Sequence, residues 1–350
     1  MSNVVSLGLP RRLSLAERHM LLMKNFACNR RKSDDVFWLK ENAELLNVLA
    51  SSGAMLSEEA FEPYRQVYHG LRERLQFFPQ YYRFLLSICL DLEDLGIGAG
   101  EGTALCDWVQ RMGLVDAELS DLQRAEAQRL LSRRGVGTED AALTRRLKHF
   151  IARSDTFALP NKKAAYELTH IVFYLSDYGV KHPMLDENAI VSLEFAGLLA
   201  YLDQDVDLLA EVCVAMRFAG RRPSVIWEDW IARQMRGFAL RASGPSANDA
   251  YHEYLVTSWW AQFADQPSFP GVPDAAGLFV TRDVAGKSPL RAMSEYMFHL
   301  GPARSGDWSL MRDALSDAVG ADGEVILAGA EQSSDRFGAF FEGFSRADFL

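Results

Sequence analysis

The chain has 350 residues, 49% of them hydrophobic and 24% charged, and a formal net charge of −10. That composition excludes a fibrous or mainly disordered chain, and the acidic balance argues against a surface built to grip nucleic-acid phosphates. No apolar run approaches the roughly 18 residues of a membrane-spanning helix, so no membrane partner is expected.

The first residues, MSNVVSLGLPRR, make a poor signal peptide, because no charged region precedes the apolar stretch and no small-residue cleavage site follows it. Cys28, Cys89, Cys106 and Cys213 are widely spaced with no C-x-x-C pair, which disfavours both a disulfide framework and a zinc knuckle. A cytoplasmic location is expected.

Helical periodicity then runs almost throughout. Ser14 opens a helix to about Cys28, with Glu17 placed for a capping box; Ser33 or Asp34 caps the next, which Gly53 stops after about Ser51. Further helices are expected at 57–77, 80–95, 103–112, 114–134, 138–153, 161–178, 187–202, 205–219, 223–238, 247–264, 288–300 and 305–318. In 80–95 the stripe of Tyr81, Phe84, Leu85, Ile88, Leu92 and Leu95 is that of an amphipathic helix. Only GLFVTRD (277–283) and GEVILAG (323–329) read as extended. The fold class expected is all-α. An Arg-rich helical region spans 1–157, and a helical-hairpin array or α/α toroid spans 158–350, with glycines at helix ends (Gly179, Gly220, Gly301). The loop at 265–289, with four prolines, is long enough for a lid or insertion.

Two local motifs carry little. Gly96, Gly98, Gly100 and Gly102 miss the dinucleotide spacing and follow a helix rather than a strand, so they read as a helix cap and connection. Arg30, Arg31 and Lys32, followed by Asp34 and Asp35, read as a solvated loop. Phe337, Phe340, Phe341 and Phe344 form one aromatic helix face at the C-terminus. Such a face docks on its own core or, in the sharper reading, binds a protein partner.

The informative segment is AAYELTHIVFYLSDYG (164–179). Glu167, His170, Tyr174 and Asp177 fall within an arc of roughly 80° on an otherwise apolar helix. Asp249 and His252 repeat the carboxylate-x-x-His spacing of Glu167 and His170. Glu194 and Glu211 are single acids in apolar helices, where an ionised carboxylate needs a partner or a metal. Glu167, His170, Glu194, Glu211, Asp249 and His252 together match the inventory of a carboxylate-bridged iron or manganese centre. The order along the chain does not alternate as in ferritin-like proteins, and Glu211 could instead pair with Arg217. A metal-free alternative makes His170 and His252 the acid and base, oriented by Asp177 or Asp249 and lined by Tyr174, Trp259 and Phe263.

Two stretches carry a resemblance. DDVFWLKENAELLNVLASSG (34–53) resembles the N-terminal region of a family of uncharacterised bacterial proteins. YELTHIVFYLSDYG (166–179) with YHEYLV (251–256) resembles a wider all-helical family of unknown function, with Thr-His, an aromatic run, Asp-x-Gly and a later Tyr-His pair. The resemblance implies that Thr169, His170, Asp177, Tyr251 and His252 belong to one constellation, and implies no activity. Where that family has Thr-Asp-Phe-Gly, this chain has Ser176-Asp177-Tyr178-Gly179, and Glu167 lies outside the pattern.

The functional expectation is a cytoplasmic enzyme with catalytic residues His170, Asp177, His252 and Tyr174, acting on a peptide or a small apolar metabolite. The rival is a non-catalytic helical scaffold that binds a protein through its aromatic C-terminal helix.

Overall fold

The computed structural model describes residues 13–98, 100–241, 249–271, 279–282 and 288–347. The opening MSNVVSLGLPRR, and residues 272–278 and 283–287 of the 265–289 loop, lie outside these. Helices α1 (Leu15–Cys28), α2 (Val36–Ser51), α3 (Glu62–Phe77), α4 (Tyr82–Leu95), α5 (Glu101–Arg111), α6 (Asp121–Ser132), α7 (Ala141–Ile151) and α8 (Ser154–Phe157) precede residue 158. After it come α9 (Lys162–Leu175), α10 (Glu187–Leu202), α11 (Val206–Phe218), α12 (Val225–Met235), α13 (Tyr251–Phe263), α14 (Pro289–Leu300), α15 (Trp308–Ser333) and α16 (Phe337–Ser345). Among the described residues the only sheet is an antiparallel ribbon of β1 (Phe238–Arg241) and β2 (Phe279–Arg282), with Leu240 opposite Val280. The protein is all-α.

Local chemistry explains the element starts. Ser14 and Glu17 form the expected reciprocal cap of α1. The side chains of Asp35, Asn161 and Asp205 each accept a backbone N–H at the starts of α2, α9 and α11. Two expectations fail. Residues 323–329 are helical, within α15, which is broken at Gly320; their alternating apolar residues place Leu327 in the core from a helix instead of a strand. The expected helix at 114–134 is confined to Asp121–Ser132, because Ser120 caps a fresh start.

The centre of the second half is α11. Every residue of it except Arg217 is buried, against α9, α10, α12 and α13. Packing continues across residue 157: α13 lies on α2, α9 on α6 and α7, and α10 on α8. One contiguous cluster of buried side chains runs from Leu22 to Phe344. The arginines of the first half serve it internally, Arg133 pairing with Asp91 and Asp94, and Arg134 with Glu93 and Asp94. The glycine connection after α4 wraps the Glu93 carboxylate, which accepts the N–H groups of Gly100 and Gly102.

The aromatic face of α16 is spent within the chain. Phe337, Phe340, Phe341 and Phe344 are all buried, against Phe195 of α10 and Trp308 of α15. It presents no open apolar surface to a partner. Arg30 is also buried rather than solvated, paired with Glu41 of α2 and with Asp249 just before α13.

Candidate functional site

Four helices meet at a group of carboxylates and imidazoles. On α11, Asp207 and Glu211 are four residues apart and so share one face. They are the only acids in the buried body of that helix. His252 stands in the first turn of α13, Glu44 on α2, and Tyr166, Thr169 and His170 on α9.

The start of α13 is fixed by a clamp. Asp249 pairs with Arg30, while its other oxygen accepts the Val280 N–H, and Ala250 donates its own N–H to the Val280 carbonyl. Ribbon and N-terminal half thereby set the position of His252.

His252 lies between two sets of oxygens. Its Nδ1 is 3.2 Å from Oε2 of Glu44; its Nε2 is 3.4 Å from Oδ1 of Asp207 and 3.9 Å from Oε1 of Glu211. The outer oxygens of the same two carboxylates are engaged elsewhere. Tyr166 donates its hydroxyl to Oδ2 of Asp207 at 2.7 Å, and Thr169 donates to Oε2 of Glu211 at 2.6 Å. His170 approaches Glu211 Oε2 at 3.7 Å and holds the Tyr166 carbonyl through Nδ1 at 2.8 Å. The Asp207 Oδ1 atom is buried and, among the described residues, accepts no hydrogen bond.

Burial and mutual charge dominate the electrostatics. Desolvation pushes the carboxyls of Asp207 and Glu211 upward, and this outweighs the pull of His252 and, at Glu211, of His170. Glu44 goes the other way: burial raises it, but the hydrogen bond and charge of His252 hold it below the ordinary carboxylate range. At His252 itself burial lowers the pKa, yet the Glu44 hydrogen bond and the charges of Asp207, Glu44 and Glu211 together lift it to about 10. The side chains of His170 and His252 are each 35% exposed, so the group has an edge open to solvent.

The sequence-derived residues divide. His170, Glu211 and His252 converge, both rings within 4 Å of the one Glu211 carboxylate. Thr169 and Tyr251 stand with them, Thr169 on Glu211 and Tyr251 beside Glu44. Asp177 instead pairs with Arg129 at 2.8 Å. Together with Tyr174 it lines a separate cavity of about 490 Å³ with Lys181 and His182, which none of the converging residues lines. Glu194 pairs with Arg336, Glu167 lies at the surface near Lys163, and Asp249 is held by Arg30. Arg217 goes to Glu228, leaving Glu211 to the imidazoles. The six-residue di-metal inventory is therefore not assembled in one place.

The model of a family described as a domain of unknown function, DUF6902, matches residues 1–347. The chain belongs to the DUF6902 family. No curated protein and no solved structure matches it.

In this DUF6902 chain two site residues escaped the sequence reading. Asp207 sits beside the α11 cap, where first-turn acids are ordinary partners of the helix dipole. The available signal was its spacing of four from Glu211 in an apolar helix. Glu44 lies 208 residues from His252, and nothing in the DUF6902 sequence links them.

Proposed function

We propose that this protein is an enzyme whose working groups are Glu44, Asp207, Glu211, His252 and His170, acting on a peptide or small apolar metabolite. The observation that carries the reading is the convergence of three carboxylates from two distant helices on one imidazole. Such crowding of buried like charges costs stability and is ordinarily found where proton transfer or ligand binding uses it. The exposed edges of the two rings give a substrate access to donors and acceptors that are already oriented. Four free cysteines support a reducing compartment, the cytoplasm. The aromatic face of α16 is buried and lends the scaffold reading no support.

The test is turnover of a panel of model esters, amides and phosphoesters, and of a small-metabolite extract, by the wild type and by Glu211→Gln, His252→Gln and Glu194→Gln. At least one substrate should be turned over, with activity falling about 100-fold or more in the first two variants and unchanged in the third. Turnover that survives both site substitutions, or none by any form, contradicts the proposal.

A further inference from the structure

We infer that Oδ1 of Asp207, Oε1 of Glu211 and Nε2 of His252 bind one divalent transition-metal cation. The inference rests on the reading of this cluster as the working site and names what it holds.

Three observations support it independently of the count of acids. The first is where the inner atoms point. One oxygen of each carboxylate is taken by a neighbouring hydroxyl, Tyr166 on Asp207 and Thr169 on Glu211, and the other is left facing His252. Inner and outer oxygens are thus already sorted, as they are in ligating carboxylates held by outer hydrogen bonds.

The second is an orphan. Asp207 is 9% exposed, and its Oδ1, directed into the cluster, accepts no hydrogen bond from the described residues. Buried carboxylate oxygens are almost always satisfied, and a cation satisfies this one. The inner separations of 3.4 and 3.9 Å are long for hydrogen bonds. The first lies within the roughly 3–3.5 Å between donors that share a cation at about 2.1 Å. The second lies beyond it, and the three atoms sit within 4.8 Å of one another, so Glu211 closes in by a few tenths of an ångström when the ion binds.

The third is the tautomer. Glu44 lies 3.2 Å from Nδ1 of His252. A carboxylate there accepts the Nδ1–H hydrogen bond and fixes the ring, so that a cation at Nε2 displaces only the Nε2 proton and takes the lone pair facing Asp207 and Glu211, the carboxylate–histidine–metal arrangement. Two carboxylates and an imidazole suit manganese, iron, cobalt or zinc better than calcium, and leave further coordination positions open on the solvent side. His170, whose Nδ1 is occupied by the Tyr166 carbonyl, stands beside the set and braces Glu211.

The experiment uses the full chain, stripped with a chelator, then titrated separately with Mn²⁺, Co²⁺ and Zn²⁺ by calorimetry, with the visible absorption of the Co²⁺ form as a second readout. One equivalent should bind, with a cobalt ligand-field band and a raised melting temperature. Asp207→Asn and His252→Gln should weaken binding at least 100-fold, Glu44→Gln by 10- to 100-fold, and Glu194→Gln not at all. Glu44→Gln preserves shape and all three ligands, so it keeps the test decisive should either ligand variant fail to fold. No saturable binding, or equal binding by wild type, Asp207→Asn and Glu44→Gln, overturns the inference. The outcomes separate from those of the enzyme reading. Turnover without metal binding removes the cation and leaves the enzyme, whereas binding without turnover removes the enzyme and leaves the cation.

Discussion

His19 shows what one buried polar group does to this fold. The residue is 3% exposed, its ring meets Phe269 edge-on at 5.2 Å, and neither nitrogen has a hydrogen-bond partner among the described residues. Burial, with the Arg18 charge adding to it, lowers its pKa to about 4 from an ordinary 6.5. The folded protein therefore keeps His19 neutral while the unfolded chain takes up a proton, and stability is lost as pH falls from about 6.5 to about 4. The full loss is about 3 kcal/mol. Urea unfolding of the wild type and His19→Leu between pH 7 and pH 4 should show the gap between them shifting in favour of the variant by that amount; parallel curves would contradict it. The same scale shows how much of the site was legible. Glu211 and His252 stand out in the sequence because titratable side chains interrupt apolar helices. Asp177 stands out equally, yet it serves Arg129 at the far end of α9, since helical phase fixes a direction and not the neighbour found there.

Among the elements, the close approach of α12 to α10 depends on a single residue. A Cβ at Gly197 would come within 2.5 Å of the buried Trp227 ring. Gly197→Ala should cost about 1–3 kcal/mol through overpacking, whereas Gly338→Ala in α16, where a Cβ meets nothing within 4 Å, should be neutral or stabilising by up to about 1 kcal/mol. Thermal unfolding of the two variants checks the contrast, and equal effects would refute it. Element type was readable wherever a 3.6-residue stripe and a cap coincided, as in α1, α9 and α11. It was misread at 323–329, where a short apolar run fits either period and only packing against α10 and α14 decides for a helix.

For the whole molecule, the site depends on chain segments far apart in sequence. Glu44 reaches His252 only because α13 packs on α2, and that contact belongs to a core extending to α16. Phe340→Ala in that last helix removes a fully buried ring and should cost about 3–5 kcal/mol. Because the core is contiguous, the loss should appear as a shift of one unfolding transition rather than early melting of the tail, which denaturant titration followed by tryptophan fluorescence would distinguish. Long-range meetings of this kind leave no local trace in a single sequence, and for that reason half of the ligand cradle emerged only from the fold.

The central claim, that Asp207, Glu211 and His252 converge to hold a cation, is tested most directly by anomalous diffraction from crystals grown with Mn²⁺. A single peak within coordination distance of Asp207 Oδ1, Glu211 Oε1 and His252 Nε2 is the predicted result. A map with no peak there, while the three side chains are well ordered, would contradict it.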